Sequence, residues 1–366
     1  MKIVHLYYRF QMGGAENITL AIIRNDKKHN HIVLVFQGLT DFQRYCQKHY
    51  GVKFLNLFWT TNSILSITNW RSLFEIIKKI KPSIIQSYMF DASKYARIAG
   101  LFLRIPVVIY VVNTYKNKIF KRGLINFLLS FATEKIIVCS EDVKDSVMIF
   151  DKIKEDKITV LPSFIMSDFK KDYTFNISQS LGLKKTDYLG LFIARLVEQK
   201  GIDYLIDAIY ICVKQKKMLG LKLIIVGDGE LKDKFLLKIK ELKLEKHIFL
   251  VGEINQLNPY LTQSNIYIDS SLWAGLSVAA IKALEASLPL IMTDVGGARQ
   301  LTDNGRFGYL CEPGNAKSLA TVIEFCFRNK IAKNLKSKNY TSKNFSDRVM
   351  VKKVIKIYQD ILHKTK

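Results

Sequence analysis

IYIDSSLWAGLSVAAIKALEASLPLIMTDVGGARQL, residues Ile266 to Leu301, reads as strand, loop, helix, strand and loop. A short apolar run, Ile266–Ile268, ends in Asp269-Ser270-Ser271, and the chain bends at Gly275. An apolar helix from about Ser277 to Ala286 follows. A second apolar run opened by Pro289 then leads into a Gly296-Gly297 turn. In a parallel α/β sheet, ligands sit at the loops that leave the carboxyl ends of the strands. The loop Leu272–Leu276 would aim its backbone N–H groups, and the positive end of the helix dipole, at such a ligand. The stretch fits an anion site and fits equally an ordinary strand–helix–strand connection.

The same alternation runs through all 366 residues. Apolar, β-branched runs fall at Ile3–Tyr7, Ile32–Phe36, Val52–Leu55, Ile84–Tyr88, Val107–Val112, Lys135–Cys139 and Ile158–Leu161. After a polar link, Lys170–Lys185, they resume at Leu189–Ile193, Lys222–Val226, Ile248–Val251, Ile266–Asp269, Leu290–Thr293 and Tyr309–Cys311. Continuous apolar runs suit strands covered on both faces, and intervening helices imply parallel sheets. The predicted fold is α/β, with two doubly wound domains facing a cleft, over residues 1–170 and 186–345. Residues 346–366 carry an amphipathic pattern, with Val349, Val351, Val354, Ile355, Tyr358, Ile361 and Leu362 apolar among lysines. This closing helix either returns to the first domain or finishes the second.

Composition narrows the function. Fifty-six Lys and Arg against 32 Asp and Glu give a net charge of +24, which calls for an anionic partner. The lysines are dispersed, with no basic tail, zinc-finger spacing or aromatic RNA-binding signature, which argues against nucleic acid. Five scattered cysteines form no CxxC pair and read as reduced, buried thiols of a cytosolic protein. His29-x-His31 fits an exposed turn before a strand better than a metal site. MKIVHLYYRF turns polar too soon for a signal peptide, and no apolar run has the length of a membrane span.

Three further loops carry chemistry. Gly13-Gly14-Ala15-Glu16 follows the first strand and opens a helix, where adjacent glycines let backbone approach a phosphate or sugar oxygen. Arg195 and Lys200 follow the first strand of the second domain, with Gly201 turning into a helix. Two cations there suit a diphosphate, and a solvated basic loop is the plainer explanation. Gly227-Asp228-Gly229-Glu230 is a tight turn opening the next helix and is not GxGxxG. No hydrolytic triad order and no carboxylate cluster for a metal is evident.

In this order and spacing, together with Ser271…Gly275, Pro289 and Asp294-Val295-Gly296-Gly297, the chain resembles the retaining GT-B glycosyltransferases of family four, the group 1 glycosyl transferases. The likeness covers nearly the whole chain and is strongest from Leu189 to Leu310. It implies two Rossmann-like domains, the C-terminal one holding a nucleotide-sugar and the N-terminal one the acceptor. Arg195 and Lys200 match the diphosphate-binding, catalytic pair. Gly13, Gly14, Gly227, Gly275, Leu276, Ser277, Val278 and Lys282 fall on donor-binding positions, and Asn113 on the acceptor side. No metal or other cofactor is implied. Transfer proceeds on the front face, the leaving diphosphate helping to deprotonate the acceptor hydroxyl.

Several positions depart from the family pattern, among them Gln300, Val112 with Asn113 in place of a histidine, and Ser163, and two bear directly on the donor. Ala274 stands where a glutamate contacts the donor sugar, and Lys282 where a second glutamate holds the ribose diol. An ammonium donates only, so it cannot bind a diol as a carboxylate does. Glu285, one turn on, is the nearest carboxylate. A catalytically impaired, transferase-like binding partner is therefore the alternative to an active enzyme.

TYKNKIFKRGLINFLLSFATEK mixes Lys116, Lys118, Lys121 and Arg122 with a run of apolar and aromatic residues. About residues 115–131, it reads either as a core helix with a basic cap or as a helix lying in an anionic membrane face. Relatives that build lipid-linked surface polysaccharide and lipopolysaccharide make a lipid-linked saccharide the expected acceptor. The expected location is then the inner face of the plasma membrane, as a peripheral protein.

Overall fold

The computed structural model describes residues 1–11, 13–60, 65–111, 120–164, 175–254 and 256–364, with backbone alone at 120–122. It divides into two compact units, Met1–Met166 with Phe345–Lys366, and Ser167–Asn344.

The first unit holds seven strands: β1 (Lys2–Tyr7), β2 (Asn30–Val35), β3 (Phe54–Asn56), β4 (Ile84–Tyr88), β5 (Val107–Val111), β6 (Lys135–Val138) and β7 (Ile158–Val160). They are parallel throughout, in the order β3-β2-β1-β4-β5-β6-β7. The second unit holds β8 (Tyr188–Ile193), β9 (Leu221–Val226), β10 (Ile248–Gly252), β11 (Ile266–Asp269), β12 (Leu290–Thr293) and β13 (Gly308–Cys311). These are also parallel, in the order β10-β9-β8-β11-β12-β13. Each apolar run of the sequence becomes a strand whose ends shift by no more than two residues, Val112 lying outside the described residues. Both sheets reverse their order beside the first strand, between β1 and β4 and between β8 and β11. Ligands of doubly wound sheets bind at that switch point.

The runs are continuous because both faces are covered. In β9 only Lys222 reaches solvent, and every residue of β4 is buried. Each fully buried Leu, Ile or Val contributes about 1.5–3 kcal/mol. In the second unit Phe192, Leu223, Ile225 and Ile268 of the sheet pack with Leu205, Ile209 and Ile323 of its helices.

The closing helix, Asp347–Lys364, lies in the first unit. Met350, Val351, Val354, Tyr358 and Ile361 enter one core with Ile3, Tyr7, Ile18 and Ile22, and Asn25 Nδ2 donates to Asp347 Oδ2 at 2.8 Å. Val349, counted in the apolar stripe, is 38% exposed, because the buried stripe runs through 350, 351, 354, 358 and 361 and leaves it to one side.

A polar chain crosses this core. His31 Nε2 meets Asp26 Oδ2 at 3.1 Å, and His31 Nδ1 meets His5 Nε2 at 2.9 Å. His5 Nδ1 meets Tyr88 Oη at 3.2 Å. Gln86 Nε2 donates to that same oxygen, and Gln86 Oε1 accepts from Tyr358. The expected exposed turn at His29-x-His31 is thus corrected. His31 is buried on β2, and both histidines share Asp26 Oδ2, His29 at 2.7 Å. Burial, then the neighbouring His31, hold His5 well below the ordinary histidine range. Burial also lowers His31, against the pull of Asp26.

Candidate functional site

Four loops meet at the carboxyl edge of the second sheet, and glycines let them meet. Gly227, after β9, has φ +137°, and a Cβ there would lie 1.9 Å from the Ala194 carbonyl oxygen after β8. A Cβ on Gly201, at φ +58°, would lie 2.1 Å from the Ser270 carbonyl oxygen after β11. Gly296, after β12, has φ +57° and would place a Cβ 2.4 Å from the Ala274 and Gly275 carbonyl oxygens. Only a residue without a side chain permits such backbone approach.

Hydrogen bonds then sew the loops together. The Leu196 N–H donates to Asp228 O at 2.9 Å, and the Leu231 N–H to Leu196 O at 3.1 Å. The Leu272 N–H donates to Gln199 O at 2.8 Å, and Gln199 Nε2 to Trp273 O at 2.9 Å. The Gly297 N–H donates to Gly275 O at 2.9 Å. The expectation that the whole loop Leu272–Leu276 offers free N–H groups is corrected at Leu272, whose N–H is used in holding the Gln199 turn.

Two cations ride on this frame. Arg195 is exposed, and its guanidinium makes no hydrogen bond or ion pair among the described residues. Lys200 is half-buried, with Nζ 3.4 Å from Ser271 Oγ. Asp228, whose carbonyl holds the Leu196 N–H beside Arg195, is occupied within its own turn. It accepts from Lys232 Nζ and from the Gly229 N–H, each at 2.7 Å, and these two partners lower its carboxyl pKa. Asp294 is likewise taken by Arg299, whose Nε donates to Oδ1 at 3.0 Å.

Ser277 caps the helix Val278–Glu285, its Oγ accepting from the Ala280 N–H at 3.3 Å. The preceding Ala274, Gly275 and Leu276 are buried, while Ser277 and Val278 are half-exposed at the positive end of the helix. Lys282 lies one turn into this helix, half-buried, and Glu285 is its last residue. Burial, then the Asp269 carboxylate, keep the Tyr267 phenol beneath the loop well above its ordinary range.

Arg195, Lys200, Gly227, Gly275, Leu276, Ser277, Val278 and Lys282 therefore belong to the second unit. All but Lys282 sit in the loops after β8, β9 and β11, or in the first turn of the helix that follows. Ser270, Gln199 and Asp269, which hold these loops in register, were not singled out as site residues, since a Ser or Asp at a strand end reads as turn chemistry. Gly13 and Gly14 lie in the first unit at the start of the helix Gly14–Asn25, after β1. Asn113 lies outside the described residues.

The helix Phe120–Leu128 is amphipathic the other way round from a core helix. Gly123 and Asn126 are buried, while Leu124, Ile125, Phe127 and Leu128 are exposed, as is Phe131 beyond it. Asn126 is the anchor: Arg97 Nη1 donates to its Oδ1 at 2.6 Å, and its Nδ2 donates to Asp151 Oδ2 at 2.9 Å. The core-helix reading fails for this face. The first part of the predicted 115–131 stretch lies outside the described residues, and no described helix is long and apolar enough to cross a membrane.

All five cysteines are free and buried. Burial pushes the thiols of Cys46, Cys212, Cys311 and Cys326 up to about 12, which leaves them inert as nucleophiles.

Residues 174–345 match the model of the glycosyl transferases group 1, and residues 12–169 that of glycosyltransferase family 4. The chain is 24% identical, over 98% of its length and 95% of the relative, to the UDP-Gal:alpha-D-GlcNAc-diphosphoundecaprenol alpha-1,3-galactosyltransferase of Escherichia coli. It is 28% identical to a Campylobacter jejuni 4-alpha-N-acetylgalactosaminyltransferase that acts on a diphospho-undecaprenol-linked saccharide, covering 94% of the chain and 95% of the relative. Among solved structures, HepE of Anabaena in complex with UDP-glucose superposes with a TM-score of 0.85 at 20% identity, over 98% of this chain and 100% of that one. The chain belongs to the group 1 glycosyltransferases of GT-B fold and is a transferase of the glycosyl-transferring class.

Proposed function

We propose that the protein moves a sugar from a nucleotide-sugar to a lipid-linked saccharide with retention at the anomeric carbon, in surface polysaccharide or lipopolysaccharide assembly. The observation that carries this is the sheet edge itself. An Arg195 guanidinium unengaged among the described residues, a Ser271-held Lys200 ammonium and the helix N-terminus at Ser277 share one switch point. As the glycosidic bond breaks, negative charge builds on the leaving diphosphate, and prearranged cations and N–H groups stabilise it. The same diphosphate oxygen takes the proton of the acceptor hydroxyl as that hydroxyl bonds to the anomeric carbon from the face the diphosphate leaves. The reading assigns charge stabilisation to these side chains rather than to a metal. The named acceptors of the Escherichia coli and Campylobacter jejuni relatives favour a polyprenyl diphosphate carrier. The exposed apolar face of Phe120–Leu128, in a chain of net charge +24, favours peripheral attachment to the anionic inner membrane face.

A thermal-shift screen with UDP-, GDP- and CMP-sugars, followed by transfer assays on polyprenyl-diphosphate saccharides, tests the proposal. A stabilising nucleotide-sugar and an α-linked product from an α-linked donor are expected. Arg195→Ala should weaken nucleotide binding at least about tenfold, the scale of a lost charge-assisted contact, without unfolding the protein. No shift with any nucleotide sinks the proposal. Binding without turnover across the acceptor panel would favour the impaired partner suggested by Ala274 and Lys282.

A further inference from the structure

We propose that Asp269 is a positioning residue for Lys200, acting through the hydroxyl of Ser271. What that positioning achieves rests on the diphosphate reading of the same edge. Asp269 closes β11 and is only 4% exposed. Its Oδ1 accepts both the N–H of Ser271 at 3.1 Å and the Ser271 hydroxyl at 2.5 Å. A serine hydroxyl carries one proton, and once that proton is committed to the carboxylate only lone pairs face outward. Lys200 Nζ, 3.4 Å from that oxygen, can only donate, so the committed orientation is the one that suits it.

The surroundings fix both ends of this relay. Thr293 Oγ1 donates to Ser271 O at 2.5 Å, which clamps the serine backbone to β12. Ser270 Oγ donates to Lys200 O at 2.9 Å, which clamps the lysine backbone. The lysine stem is therefore tied at its root by Ser270 and at its tip by Ser271, neighbours on one loop. A free lysine loses rotamer freedom when it is immobilised. Here part of that ordering is present before any ligand arrives. An ordinary Asp turn explains the bond to the Ser271 N–H. It does not explain the committed hydroxyl or the ammonium beyond it.

Two measurements test the relay on the full-length protein. The first is competitive acetylation with acetic anhydride in the absence of nucleotide, read at each lysine by mass spectrometry. Asp269→Asn and Ser271→Ala should each raise labelling of Lys200 about threefold, the weight of a partly exposed ion contact, with Lys222 and Lys282 unchanged. Unchanged Lys200 labelling in the folded variants overturns the proposal. The second is UDP affinity by calorimetry. Asp269→Asn should weaken it about fivefold in the wild-type background and leave it unaltered in the Lys200→Ala background. Equal losses in both backgrounds would show a merely structural role and overturn the proposal. If the wild type binds neither UDP nor GDP, the diphosphate reading falls, and the labelling alone decides the link between Asp269 and Lys200; if it binds GDP only, GDP replaces UDP in the cycle. Should Asp269→Asn fail to fold, Ser271→Ala carries both measurements.

Discussion

The loop after β1 in the first unit and the loop after β8 in the second hold equivalent places, each where its sheet reverses order, and they are built differently. The β8 loop is fastened to the loops after β9 and β11 by backbone contacts that only glycine permits. Gly13, in the β1 loop, has extended backbone at φ −169°, and a Cβ there would crowd the far end of the Glu16 side chain, at 2.6 Å, and meet the Gln11 carbonyl oxygen at an ordinary 3.9 Å. The polar groups are divided in the same way. The second unit carries its cations at the sheet edge, while the first buries the chain from Asp26 through His31, His5, Tyr88 and Gln86 to Tyr358 inside its core. One strand order thus supports a rigid, cationic edge in one unit and an internal polar tie to the closing helix in the other.

The largest expected effect comes from adding a methyl group at the fastened edge. Gly227→Ala should cost about 3 kcal/mol, from a strained φ and a clash with backbone that cannot swing aside. Gly13→Ala should cost about 1 kcal/mol or less, because a flexible carboxylate can move and the backbone suits any residue. Chemical denaturation with amide exchange resolved to each unit measures both. Similar costs at the two glycines would erase the difference between the loops.

A smaller effect separates the units by pH. His5 and His31 have folded-state pKa values below their ordinary value, so both are neutral in the folded protein near pH 7. In the unfolded chain they take up protons as pH falls through about 6.5. The unfolded state then binds more protons, so this stability is complete above about pH 6.5 and is lost as pH falls toward the folded pKa values. Each histidine can contribute at most about 1.4 kcal/mol of loss for every pH unit below that point. Asp26 is held below the ordinary carboxylate range by its two histidines against the cost of burial, and its own loss comes only at lower pH, below about 3.8. In the second unit only the half-buried His247 is comparable. Exchange at pH 5.5 against 7.5 should loosen the first unit more than the second. Equal loosening would mean that the buried pair has no special weight.

Much of this was legible in the sequence, and unevenly so. Strands such as β4, β11 and β12 announce themselves because burial on both faces demands continuous apolar runs. The edge of the second unit was legible because close backbone approach demands glycine, and Gly201, Gly227 and Gly296 stand where it occurs. The His5–His31–Tyr88 chain was not, since its members are far apart in sequence and a lone histidine in an apolar strand carries no sign of its partner. Asp269 was hidden for a related reason. At a strand end an Asp forms a turn, and only the fold shows that its carboxylate reaches Lys200 through Ser271.

The most direct test of the central claim is hydrogen exchange on the full chain with and without saturating UDP. A nucleotide diphosphate held at the second sheet's switch point should slow exchange most strongly in residues 194–201 and 273–278, with the turn at 227–231 following. Bound UDP that leaves those segments exchanging as in the free protein would contradict it.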